Sequence, residues 1–83
     1  MGKIWNESMI RKEIKALDAI TGLDGASLKI SFMRSAHTLG LFSAEGDMWF
    51  KFSMNYFHDP EWPEESAVGV IRHEYAHYMT WMQ

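Results

Sequence analysis

From Met48 to Phe57 the chain alternates without a break in register. Met48, Phe50, Phe52, Met54 and Tyr56 fall on one side of an extended backbone, and Trp49, Lys51, Ser53, Asn55 and Phe57 on the other. A helix repeats every 3.6 residues and cannot hold a two-residue period over such a length, so this segment predicts a strand. A strand needs partners, and two shorter candidates precede it. Leu28, Ile30 and Phe32 alternate with Lys29, Ser31 and Met33, and Leu39 to Ser43 form a brief apolar run around Gly40. Ala44-Glu45-Gly46-Asp47 reads as a hairpin turn with Gly46 free to take a positive φ, which makes the second and third strands antiparallel. Shortness and a central glycine mark Leu39 to Ser43 as an edge.

Helices are expected on either side of these strands. Ile10, Ile14 and Leu17, joined by Met9 and Ile20, recur at three- and four-residue spacing, with Arg11, Lys12, Lys15 and Asp18 placed mostly on the opposite face. Asn6 or Ser8 can cap the start and Gly22 can end the helix in a left-handed conformation. Asp24-Gly25 signals a turn. After the loop His58-Asp59-Pro60-Glu61-Trp62-Pro63, Pro63 suits a first helical position and Glu64 and Glu65 complement the positive helix end. A helix then runs through Ala67, Val70, Ile71, Tyr78 and Trp81. The predicted class is α+β: one domain over residues 1–83, with an N-terminal helix, a three-stranded mixed sheet and a C-terminal helix, the helices covering one face of the sheet.

The C-terminal helix carries the chemistry. His73-Glu74-Tyr75-Ala76-His77 matches H-E-x-x-H. Four residues advance a helix by slightly more than one turn, so the two imidazoles share a face about 6 Å apart along the axis. That separation suits two ligands of one Zn2+ ion with bonds near 2.0–2.1 Å. Glu74, offset by about 100°, lies beside the ion, where it can act as general base toward a zinc-bound water and return the proton to a leaving amine. With average residue usage a chance match in a chain of this length is on the order of one in several hundred. Val70 and Ile71 before the motif and the small Ala76 within it fit a packed helix better than a solvated one.

Ser31 to Tyr78 resembles the SprT-like zinc metallopeptidases, including the very small minigluzincin-type proteins. The resemblance rests on Thr38-Leu39-Gly40, Gly46, the strand from Met48 to Tyr56, and Val70-Ile71-Arg72-His73-Glu74-Tyr75-Ala76-His77. It implies a minimal zincin lobe and hydrolysis of peptide bonds, with His73 and His77 as zinc ligands and Glu74 as the catalytic base. A peptide or protein substrate could pair with the edge at Leu39, Gly40 and Leu41.

A catalytic zinc site takes three protein ligands and an open position. Thr80 and Gln83 stand where a metzincin would place its later glycine and histidine, which excludes that class. SprT-type relatives take the third ligand from a helix further along, and the sequence given stops soon after His77. Three expectations follow: a fragment of a longer enzyme, a minimal form that borrows a ligand from a second copy, or an inactive zincin-like module that acts in protein interaction. Trp81 and Met82, apolar and uncovered, favour the first and predict self-association. His37 and His58 are substitute ligands only if the fold brings them to the motif. Tyr75 or Tyr78 could serve an oxyanion but fit better as rings packed on the sheet. Arg34 and Arg72 could bind a substrate carboxylate, and Arg72 could equally pair with Glu65 or Asp59.

Composition removes other classes. There is no cysteine, so thiol catalysis, disulfides and Cys-ligated zinc are excluded, and a reducing, cytoplasmic setting is expected. Net charge is −3, which gives nucleic acid no electrostatic foothold. Apolar runs are too short to span a membrane, no signal-peptide core follows Lys3, and Asn6 stands where acylation at Gly2 would want Ser or Thr.

Overall fold

The computed structural model describes residues 3–83, so the acylation reading at Gly2 lies outside the described residues. Helix α1 (Glu7–Thr21) leads through a single 3-10 turn (Gly25–Ser27) to β1 (Lys29–Met33), β2 (Gly40–Ser43) and β3 (Trp49–Ser53). A one-turn helix α2 (Met54–Phe57) and the long helix α3 (Glu64–Met82) complete the chain. This is the expected α+β arrangement with a mixed three-stranded sheet.

Local chemistry sets the limits of α1. The Asn6 side chain accepts a hydrogen bond from the Met9 N–H at 2.8 Å, which satisfies one of the free donors of the first turn. Gly22 closes the helix with φ 77°, and its N–H reaches back to Asp18. Between the caps, Ile10 and Ile14 are fully buried. Two expectations fail here. Ile20 is 82% exposed, and Asp18 lies on the inner side. The face turned to α3 runs through Ile10, Ile14, Leu17, Asp18 and Thr21, and Ile20 is about 100° away from its centre.

The sheet order is β1-β3-β2, with β1 parallel and β2 antiparallel to β3. The hairpin turn holds Gly46 at φ 68°. The third strand is shorter than its alternation implies. It ends at Ser53, and Met54, Tyr56 and Phe57 belong to α2. The reason is that its partners run out: Met33 pairs with Ser53 on one side, and Gly40 pairs with Phe52 on the other. Past that point the backbone bonds locally, His58 N–H to Met54 O and Asp59 N–H to Tyr56 O. The turn swings Phe57 into the core, where it is fully buried against Phe52, Trp62 and Trp5.

Pro63 stands one residue earlier than expected, as the N-cap of α3 with extended backbone. Helices α1 and α3 pack together, α3 against β2 and α1 against β1. Ile30, Phe50 and Phe52 meet them from the sheet in one continuous core. Among the described residues no helix is long and apolar enough to cross a membrane.

Candidate active site

Helix α3 buries Ala67, Ile71, Glu74, Tyr75 and Tyr78, a stripe at helical spacing that faces the sheet and α1. His73 and His77 flank that stripe on the exposed side, and Ala76, expected in a packed helix, is exposed as well. The two imidazole centroids are 4.9 Å apart with ring planes at 90°. A tetrahedral ion bonded at 2.0–2.1 Å to one nitrogen of each ring would hold the ring centres roughly 5 Å apart. The ring spacing is that of two imidazoles on one ion and equally that of an edge-to-face ring pair. Among the described residues no group of three or more His, Cys, Asp or Glu side chains is arranged to hold a metal. His37 stays in an exposed loop and His58 lies tilted against Phe32 at 4.4 Å, and neither joins the pair as a third ligand.

Glu74 is only 6% exposed. Burial pushes its carboxyl above the usual carboxylate range, while the neighbouring charges of His73 and His77 and the backbone of Phe42 pull the other way. A carboxylate raised by desolvation is a stronger base near neutral pH than one in water.

The floor beside Glu74 is β2. This strand pairs only with β3, so it is an edge. Leu39, just before β2, accepts from the Ser53 N–H. In an antiparallel ladder alternate residues then turn their backbone groups inward, which leaves those of Gly40 and Phe42 directed at the open edge. A hollow of about 630 Å3 lies between this edge and α3, lined by Gly40, Leu41, Phe42, His73, Glu74, His77, Thr80 and Trp81. A second hollow of about 400 Å3 continues past Gly40 to Leu39, Ser66, Gly69 and Val70. Gly40, His73 and Glu74 border both. The fold thus brings Leu39, Gly40 and Leu41 alongside His73, Glu74 and His77.

The tyrosines serve the scaffold. Tyr78 packs its ring on Phe42 and Phe50, and its hydroxyl accepts from the Asp24 N–H at 3.3 Å. The Tyr75 hydroxyl donates to Asp18 at 2.6 Å and lies 2.7 Å from the Thr21 hydroxyl, on the α1 side of α3. Burial first, and then the Asp18 bond, push the Tyr75 phenol up to about 12. Neither phenol is placed to serve an oxyanion at the imidazoles. Arg34 and Arg72 are exposed, and the ion pairs found among the described residues are Lys3–Glu64 and Arg11–Glu7, so Arg72 is not paired with Glu65 or Asp59.

Sequence reasoning missed Asp18 and Thr21 as the anchor of α3, and Ser66 and Gly69 as walls of the second hollow. No local pattern announces them, because each acquires its role only when distant segments meet. No protein-family model, curated protein or solved structure matches this chain.

Proposed function

We propose that the chain is a zinc-dependent metallopeptidase domain that hydrolyses peptide bonds. One observation carries the reading: two exposed imidazoles 4.9 Å apart stand over a buried carboxylate, at the free edge of a sheet. The resemblance of Ser31 to Tyr78 to the SprT-like and minigluzincin-type zincins supports it. We further propose a cytoplasmic setting, which the cysteine-free sequence supports.

His73 and His77 are the residues that would hold the ion, which supplies Lewis acidity toward a carbonyl oxygen. The chain's own groups do the rest. Glu74 takes the proton of the attacking water and returns it to the departing amine. The outward backbone groups of Gly40 and the outward carbonyl of Phe42 bind an extended substrate as an added strand and set its register, while the Phe42 N–H faces the Glu74 carboxylate. The hollows on either side of Gly40 receive its side chains.

Metal analysis after dialysis against zinc, together with turnover of a quenched peptide library, tests the reading. Bound zinc and hydrolysis that Glu74→Gln abolishes while zinc stays bound are the expected results. Hydrolysis that persists in Glu74→Gln would refute the role of this carboxylate.

A second reading has its own observation. Two histidines without a third protein ligand describe a zincin-like module that acts by protein interaction and not by catalysis. Trp81, 62% exposed, and Leu41, 42% exposed, border the larger hollow, which supports coverage by another chain, a second copy included. Zinc-free protein with no turnover and a concentration-dependent sedimentation coefficient favours this reading. A monomeric, zinc-loaded hydrolase removes it.

A further inference from the structure

Gly40 has no conformational reason to be glycine. Among the described residues only Gly22 and Gly46 take a positive φ. Its backbone is ordinary strand, paired with Phe52, and any residue could adopt it. The constraint is space. A Cβ on Gly40 would lie 2.9 Å from Glu74 Cγ, 2.9 Å from Val70 Cγ1 and 3.3 Å from Glu74 Oε2. The two carbon–carbon separations are far inside the contact optimum of about 3.5–4.0 Å, and the carbon–oxygen one is tight. The bare backbone at Gly40 is therefore what lets α3 lie close to β2 and lets the Glu74 side chain pass under the edge strand.

We propose that Gly40 is a positioning residue for Glu74: the absent side chain forms the seat that holds the carboxylate at the saddle between the two hollows, beside His73. The seat is a statement about packing, and its consequence for rate rests on the peptidase reading. A methyl group at position 40 has two ways to be accommodated. It can press Val70 and α3 away from the sheet, which lowers stability. It can also drive Glu74 out of its seat toward solvent, which misplaces the base without touching either imidazole. The two outcomes separate because Val70 can be shortened independently of Glu74.

The test compares wild type with Gly40→Ala, Val70→Ala and the double variant. Measurements are thermal stability, zinc affinity, kcat and KM on the peptide library, and nuclear Overhauser contacts between residue 40 and the Glu74 γ-protons in metal-free protein. The double variant should recover the stability of Val70→Ala and bind zinc as wild type does. Its kcat should fall by about 100-fold relative to Val70→Ala with a smaller change in KM, the size expected when a reacting group is misplaced by about 1 Å. The residue 40–Glu74 γ-proton contacts should disappear. If kcat recovers together with stability, or if those contacts persist unchanged, the seat is overturned. If zinc-loaded wild type hydrolyses nothing while the contacts change as expected, the seat stands and the peptidase reading falls.

Discussion

The hydroxyl of Tyr75 donates to the Asp18 carboxylate at 2.6 Å and so joins the centre of the histidine motif to a helix 57 residues earlier. Asp18 also accepts the N–H groups of Gly25 and Ala26 at 2.8 and 2.9 Å. With Tyr75 donating to Asp18, its oxygen accepts from the Thr21 hydroxyl at 2.7 Å, and Thr21 in turn accepts from the Leu23 N–H. One carboxylate thus ties the end of α1, the turn after it and the buried side of α3. The opposite side of the same helical turn presents His73 and His77.

Tyr75→Phe removes the hydroxyl and keeps the ring. We expect a loss of about 1.5–3 kcal/mol, the range for a hydrogen bond to a charged group. Urea denaturation at pH 7 measures it. The alkaline limb gives a second readout. Because the folded-state value is pushed up to about 12 from 10.0, the phenol's contribution is fully present below pH 10 and is lost as pH rises toward 12. Wild type should lose stability over that interval more steeply than Tyr75→Phe. Ultraviolet difference titration of wild type against Tyr75→Phe should show the Tyr75 tyrosinate forming only as pH approaches 12.

Glu74→Gln should stabilise metal-free protein at neutral pH. Desolvation raises the Glu74 carboxyl above 4.5, so the folded chain holds that proton more tightly than the unfolded chain does. Its favourable contribution is complete below the unfolded value and is lost as pH rises through the folded one. At pH 7, above the unfolded value, the buried carboxyl therefore contributes less stability than it does in acid, a loss the neutral amide does not suffer. Melting temperatures in chelator should be higher for Glu74→Gln at pH 7, and the gap should narrow as pH falls through the carboxylate range. An unchanged gap would contradict the burial argument.

His73→Ala and His77→Ala should each weaken zinc binding by more than the roughly 10–100-fold typical of losing an outer-shell partner. His37→Ala and His58→Ala should leave it unaltered, because one lies in an exposed loop and the other lies tilted against Phe32. Competition against a chromophoric chelator reads all four. Loss of affinity in His58→Ala would mean that the loop after α2 reaches the ion.

Phe57→Ala should cost about 3–5 kcal/mol, the usual range for emptying an aromatic site in a core. Such a loss is a large share of the stability of a domain this small. We expect far-ultraviolet dichroism to show a largely unfolded chain at 37 °C. Tyr56→Ala, one residue earlier but only half-buried, should be much milder.

The helix end at Gly22, the hairpin at Gly46 and the placement of His73 beside His77 were legible in the sequence, which narrowed the N-cap to Asn6 or Ser8. Each depends on neighbours within about one helical turn or one tight turn, where residue type and spacing dictate geometry. The end of β3 was not legible. Met54, Tyr56 and Phe57 continue the alternation, and what stops the strand is the exhaustion of its partners at Met33 and Gly40. Asp18 was misplaced for a similar reason. A charged residue on an amphipathic helix reads as solvated until a distant phenol and two backbone N–H groups converge on it.

By itself, the sequence determined the identity and spacing of the chemical groups: two imidazoles four residues apart, a carboxylate between them, and a glycine in a short strand. Tertiary structure decided which of these would touch. It placed Gly40 against Glu74, left β2 unpaired on one side, and kept His37 and His58 away. Short-range periodicity follows from backbone geometry and is written in local order. Contact between α3 and the edge strand follows from how the whole core closes, and no window of neighbouring residues encodes that.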